Sequence, residues 1–110
     1  LTYEMYKHRA EIVKEASRQL LPSHMQEAAT AYVLFGTITG DFLYTVLCNR
    51  FYDFFLRADM HNQHAAHQWA TWLGSIPAGC WGSPETVQQW KTSGGLFGVS
   101  EKPDKGGEHG

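Results

Sequence analysis

The feature that most restricts the fold is a row of apolar residues recurring at helical spacing in the middle of the chain. The row comprises Phe42, Leu43, Val46, Leu47, Phe51, Phe54, Phe55 and Ala58. Because apolar residues three and four positions apart share one face of an α-helix, this spacing predicts a central helix over Asp41–Ala58. Asn49 interrupts the row and is a candidate cap for a second helical half over Arg50–Arg57. The sequence therefore predicts a helical protein packed around this segment.

Four further helices are predicted on either side of the central segment. Their bounds are Tyr3–Leu21, His24–Phe35, Met60–Leu73 and a short last helix from Pro84 to the glycine pair at 94 and 95. In the first helix, the predicted buried face consists of Met5, Ile12, Val13, Ala16 and Leu20. These spacings favour a bundle in which each helix buries one apolar face.

Helix start and stop signals support these bounds. Ser23, followed three residues later by Gln26, has the pattern of a capping box. Asp59 and Ser83 are favourable N-caps. Gly36 is a natural helix end because glycine takes the left-handed conformation at little cost.

Length and composition are typical of one globular domain. The chain has 110 residues, of which 43% are hydrophobic and 18% are charged, and this balance is not that of a disordered chain. We predict an all-α fold, a compact bundle of four to five helices over residues 1–97, with a flexible polar tail over 98–110. The segment Leu96–Val99 could add a short extended piece.

Charge and hydropathy exclude several partners. Nine basic and eleven acidic residues give a formal net charge of −2, and no basic stripe is present, so non-specific nucleic-acid binding is not expected. The apolar runs are too short to span a bilayer, and no signal peptide is visible. Cys48 and Cys80 are isolated, which favours a reducing cytoplasm over a disulfide framework.

The most conspicuous polar cluster is His61, His64 and His67. Residues three apart are neighbours on a helix, so His61 and His64 could share a metal ion, but the third histidine diverges from them. A further ligand would have to come from elsewhere, with Asp59, His24 and Cys80 as candidates. Three interpretations stay open for the cluster: a polar solvent face, a contact face for a partner or ligand, and a metal site.

No catalytic constellation is evident. Cys80 lies in a glycine-rich turn ahead of the Ser83 cap rather than at the helix end, and the acidic residues are scattered. No phosphate-binding glycine motif occurs. We therefore predict a non-enzymatic protein without a cofactor. The candidate binding residues are His61, His64, His67, Arg50, Arg57 and Trp81.

A longer pattern covers about residues 21–96. It comprises Leu21-Pro22, Met25, Tyr32, Gly36, Gly40, Phe42-Leu43, Val46-Leu47, Asn49, Ala58-Asp59, Asn62, Trp72-Leu73, Pro77, Cys80-Trp81-Gly82-Ser83-Pro84-Glu85, Val87, Trp90 and Gly94-Gly95-Leu96. This order resembles a group of small uncharacterised proteins encoded by tailed phages and prophages. The resemblance implies a phage accessory protein that acts in the cytoplasm of a bacterial host.

Three functional hypotheses follow from these observations. The first is a binding protein that modulates or inhibits a host protein, such as a defence protein. The second is a homo-oligomeric module that sequesters a nucleotide-type ligand, with aromatic rings stacking on bases and Arg50, Arg57 and the histidines near phosphates. The third is a histidine-dependent metal-binding protein.

Overall fold

The helical spacing of the sequence is realised as a set of short helices. A computed structural model describes residues 2–38 and 40–100, and for residues 51–53 it describes the backbone only. The helices are α1 (Tyr3–Leu20), α2 (Ser23–Phe35), α3 (Asp41–Leu47), α4 (Phe51–Arg57), α5 (Met60–His64), α6 (Ala66–Ser75), α7 (Pro84–Ser93) and α8 (Gly95–Gly98), with a 3₁₀ turn at Ala78–Cys80. The prediction of an all-α fold is confirmed. In the described part of the chain, no helix is both long and apolar enough for a membrane span.

Two of the five predicted helices are each divided in two. Asn49 has φ +62°, a left-handed conformation that a helix cannot continue, so the predicted Asp41–Ala58 helix becomes α3 and α4. The predicted break is confirmed, but the residue at the N-cap of α4 is Arg50 and not Asn49. The predicted Met60–Leu73 helix is divided at Ala65, whose N–H bonds to the carbonyls of both His61 and Asn62.

Of the N-caps predicted at Ser23, Asp59 and Ser83, the last two form. The carboxylate of Asp59 accepts the Asn62 N–H at 2.8 Å, and the Ser83 hydroxyl accepts the Thr86 N–H at 3.2 Å. The prediction of a capping box at Ser23 is wrong. Helix α2 begins at Ser23 itself, and the N-cap of α2 is Pro22, which has no side-chain acceptor. Gln26 instead donates to the carbonyl of Leu21 at 3.0 Å.

The buried face of α1 matches the predicted one only in part, since Val13 is buried and Ala16 and Leu20 pack against the core. Tyr6, Ala10, Val13 and Ser17 are buried, whereas Met5 and Ile12 are 45% and 51% exposed. The stripe is shifted because Tyr6 packs edge-on against Phe97 of α8 at 5.1 Å between ring centroids. At its other end, Ser17 accepts a hydrogen bond from the Trp72 indole of α6. A polar serine therefore occupies a core position that apolar periodicity does not reveal.

Three buried tryptophans link different helices through their indole N–H groups. Trp69 donates to the Asn62 side chain at 2.8 Å, and Trp72 donates to the Ser17 hydroxyl at 3.1 Å. Trp90 of α7 donates to two backbone carbonyls at the end of α2. A buried indole requires such an acceptor, so these bonds fix α6 and α7 against specific residues of α1, α2 and α5.

The C-terminal segment of the described chain packs tightly against α2. Gly95 has φ +74°, and a Cβ atom there would lie 2.5 Å from the backbone nitrogens of Phe35 and Gly36. The segment predicted as an extended piece, Leu96–Val99, is helical as far as Gly98. Of the predicted tail over 98–110, Gly98 is the last residue of α8, and residues 101–110 lie outside the described residues.

Candidate functional site

The predicted histidine row does not lie on a single helix. His61 and His64 belong to α5, whereas His67 belongs to α6, beyond the break at Ala65. All three side chains are exposed, as the sequence pattern predicts. The division means that the three histidines do not share one continuous helical face.

The structure brings His24 to this region from the start of α2. Its Nε2 atom lies 3.2 Å from the Asp59 carboxylate, and its ring lies edge-on to His61 at 6.3 Å between centroids. Asp59 thus caps α5 with one carboxylate oxygen and contacts His24 with the other. The backbone N–H of Asn62 lowers the pKa of Asp59, and the nearby His24 and His61 lower it further. We call His24, Asp59 and His61 the histidine cluster.

Asn62 anchors the histidine cluster in the core. It is only 3% exposed, its amide oxygen accepts the Trp69 N–H, and its amide nitrogen lies 3.5 Å from Nε2 of His24. Sequence reasoning gave Asn62 no role at this site. A signal was present, because residues 62 and 69 are seven positions apart and would share one face of the predicted Met60–Leu73 helix.

The histidine cluster can donate and accept hydrogen bonds at the surface. Among the described residues, no group of three or more His, Cys, Asp and Glu side chains could hold a metal ion. The described geometry therefore provides no metal centre that joins the predicted pair His61 and His64 to a third ligand.

Three large apolar side chains are exposed where α4 meets α5. Phe55, Leu56 and Met60 are 52%, 67% and 70% exposed, and they lie within six positions of one another in the sequence. The Gln63 side chain donates to the Ala58 carbonyl at 3.0 Å, which ties α5 to the end of α4. We call Phe55, Leu56 and Met60 the apolar corner. It adjoins Asp59 and His61 in the chain.

The remaining predicted binding residues have separate surroundings. Arg57 is exposed and lies 3.8 Å from the Asp41 carboxylate, so it pairs the end of α4 with the start of α3. Arg50 is exposed at the start of α4. Trp81, a predicted binding residue, is half-buried and packs against the core.

The two cysteine thiols are free and buried. Burial raises the pKa of the Cys80 thiol to about 12, and its sulfur lies 3.0 Å from the Pro77 carbonyl oxygen. Burial also raises the pKa of Cys48. Since the thiolate is the nucleophilic form, these environments suit structural cysteines.

Comparisons of the chain with protein-family models, with curated proteins and with solved structures find no match.

Proposed function

We propose that this chain is a non-enzymatic protein-binding domain that contacts its partner through the apolar corner. The observation that carries the proposal is the exposure of Leu56 and Met60, which are 67% and 70% accessible. Single exposed apolar residues are ordinary on a protein surface, but neighbouring ones with a polar rim are typical of interaction sites.

The energetics of the apolar corner favour a protein partner. Full burial of one Leu, Met or Phe side chain stabilises a contact by roughly 1.5–3 kcal/mol. Methionine also adapts its shape to irregular surfaces. The corner is held in place by the Asp59 cap and by the Gln63 hydrogen bond, so little ordering is needed when a partner binds.

The proposed partner is a protein of the bacterial host, such as a defence protein, which this chain modulates or inhibits. The resemblance of residues 21–96 to phage accessory proteins supports a host partner. Asp59 and His61 of the histidine cluster flank Met60 in the sequence, and these polar groups suit a partner surface with hydrogen-bonding side chains around an apolar pocket.

Capture from host lysate with matched variants tests this proposal. Tagged protein and its Leu56→Glu and Met60→Glu variants are compared with Ile12→Glu, which changes an exposed apolar residue of α1 that is 51% accessible. We expect one host protein to be captured by the parent and by Ile12→Glu, and to be lost from both corner variants. Circular dichroism confirms that each variant is folded.

Two results would contradict the proposal. Equal capture by all four proteins would mean that the apolar corner is not the contact surface. If native mass spectrometry instead finds a homo-oligomer that only the corner variants lose, the corner joins copies of this chain rather than a host protein.

A further inference from the structure

The three methionines of the chain differ widely in how far the fold covers them. Met60, the first residue of α5, is 70% exposed, and Met5, in the first turn of α1, is 45% exposed. Met25 of α2 is half-buried and packs against the core. Met60 is therefore the methionine whose side chain is most open to a dissolved reagent.

The exposure of Met60 belongs to the folded protein and needs no local opening. On one side of it, Asp59 caps α5 by accepting the Asn62 N–H at 2.8 Å. The Gln63 side chain donates to the Ala58 carbonyl at 3.0 Å and ties the helix to the preceding turn. These bonds hold the backbone on both sides of Met60, so its thioether is presented to solvent in the native state.

The two cysteines compete poorly with Met60 for an oxidant. Cys48 is 5% exposed and Cys80 is 0% exposed, and burial raises the pKa of both thiols. Oxidation of a cysteine follows its exposure and its thiolate character, and both are low here. A thioether has no proton to lose, so the reactivity of Met60 does not depend on such an ionisation.

Oxidation of Met60 would change the surface and leave the core as it is. A methionine sulfoxide is polar, whereas the thioether from which it forms is apolar. Met60 is largely uncovered, so the added oxygen displaces little packing within the fold. The same change at Met25 would place a polar group against the core. Met60, with Phe55 and Leu56, forms the apolar corner, and its oxidation removes one of the three apolar contacts that the corner offers.

We propose that Met60 is a modification site at which oxidation by hydrogen peroxide weakens the contact made by the apolar corner. This inference rests on the proposed function, because it names a control on the same surface. The thioether sulfur attacks one peroxide oxygen, so an S–O bond forms as the O–O bond breaks. The departing hydroxide takes the proton of the transferred hydroxyl and leaves as water. A thiol-dependent methionine sulfoxide reductase reverses the change, since two thiols become a disulfide and the sulfoxide oxygen leaves as water.

Peptide mapping of the full chain tests the site without any partner. The protein is treated with hydrogen peroxide at neutral pH until it carries about one added oxygen, and mass spectrometry locates that oxygen. We expect Met60 to be oxidised fastest, Met5 more slowly and Met25 slowest, with both cysteines unmodified. Circular dichroism should show an unchanged helical signal. Oxidation of Met25 or of a cysteine at the rate of Met60 would overturn the proposal.

Capture from host lysate tests the consequence of oxidation. The parent and Met60→Leu are compared before and after peroxide treatment, using the host protein that the untreated parent captures. Leucine keeps the side chain apolar but cannot form a sulfoxide. The oxidised parent should bind that protein about tenfold more weakly or worse, since burial of one such side chain is lost. Oxidised Met60→Leu should bind as it did before treatment, and methionine sulfoxide reductases of both stereospecificities with dithiothreitol should restore the parent.

The two proposals can fail separately. Binding that peroxide leaves unchanged in the parent, or lowers equally in the parent and in Met60→Leu, would overturn the role of Met60. An untreated parent that captures no host protein would contradict the proposed function instead. The peptide map would still decide whether Met60 is the site of modification.

Discussion

Replacing Ser17 by alanine should destabilise the fold, although alanine is the better helix former. The Ser17 hydroxyl accepts the indole N–H of Trp72, 55 positions away, at 3.1 Å. Ser17 is 1% exposed and Trp72 is 0% exposed. Water therefore cannot reach the indole nitrogen in the folded variant, and the Trp72 donor would lose its acceptor.

The expected magnitude follows from two opposing effects. A buried donor without an acceptor costs about 1–3 kcal/mol. Alanine in a helix interior recovers roughly 0.5 kcal/mol relative to serine. The free energy of unfolding should fall by about 1.5 kcal/mol, which lowers the melting temperature by roughly 6–7 °C in a domain of 110 residues.

Urea denaturation followed by tryptophan fluorescence measures the change, provided that the slope of the free energy against urea concentration stays constant. Ser93→Ala is the matched control, because Ser93 lies at the exposed end of α7 and its hydroxyl bonds only locally to the Trp90 carbonyl. Its stability should change by less than about 0.5 kcal/mol. A Ser17→Ala variant as stable as the parent would show that the Ser17–Trp72 bond does not hold α1 to α6.

Three further predictions concern backbone contact, pH and thiol reactivity. Gly95→Ala should lower the free energy of unfolding by at least about 3 kcal/mol, since a Cβ would clash with the backbone of α2. Gly40 has φ +86° but open space around it, so Gly40→Ala should lower the free energy of unfolding by only about 1–2 kcal/mol. Equal losses for the two variants in urea denaturation would refute the close approach of Gly95 to α2. Asp59 has a lowered pKa in the folded protein, so its stabilisation is complete above the unfolded value of about 3.9 and is lost as pH falls through the folded value. Asp59→Asn keeps the cap but removes the titrating carboxyl, so its unfolding midpoint should fall less steeply than that of the parent as the pH is lowered. The same dependence on acid pH in both proteins would contradict this prediction. Cys80, with a pKa of about 12, should react with iodoacetamide at neutral pH only after unfolding; mass spectrometry that finds it labelled in the native protein would show that its site opens.

Local signals in the sequence predict where helices begin and end when the responsible side chain lies just outside the helix. Asp59 and Ser83 fulfil this condition and form their caps. Ser23 is a serine like Ser83, but it is already the first residue of α2 and not the residue before the helix. Pro22 has φ −56° and ψ 145°, and it takes the N-cap position that the pattern assigned to Ser23. A shift of one residue therefore decided whether the predicted cap exists.

Periodicity predicted only part of the buried side of α1, because the partners that decide the rest are distant. Tyr6 meets Phe97, and Ser17 meets Trp72. Both buried residues carry a hydroxyl and rank below Met5 and Ile12 as apolar residues. An aromatic wall and an indole donor from other helices set the orientation of α1, and these contacts override the local apolar pattern.

The histidine cluster was only partly predictable for the same reason. His24 was among the candidate partners for His61, but nothing in the sequence selected it over Cys80. The fold selects it, since Asp59 caps α5 with one oxygen and contacts His24 with the other. Cys80 is buried instead beneath the hydroxyl of Tyr32, which donates to its carbonyl at 2.7 Å.

The core and the candidate contact surface are connected by one series of polar and aromatic contacts. Ser17 of α1 accepts from Trp72, whose ring lies edge-on to Trp69 at 5.6 Å between centroids. Trp69 in turn donates to Asn62, and Asn62 lies between the core and His24 at the surface. Removing the Asn62 acceptor would therefore leave a buried indole unpaired and loosen the side of α5 that carries His61. Of the apolar corner, Met60 lies in α5 with Asn62, so the buried amide bears on the position of that proposed binding residue.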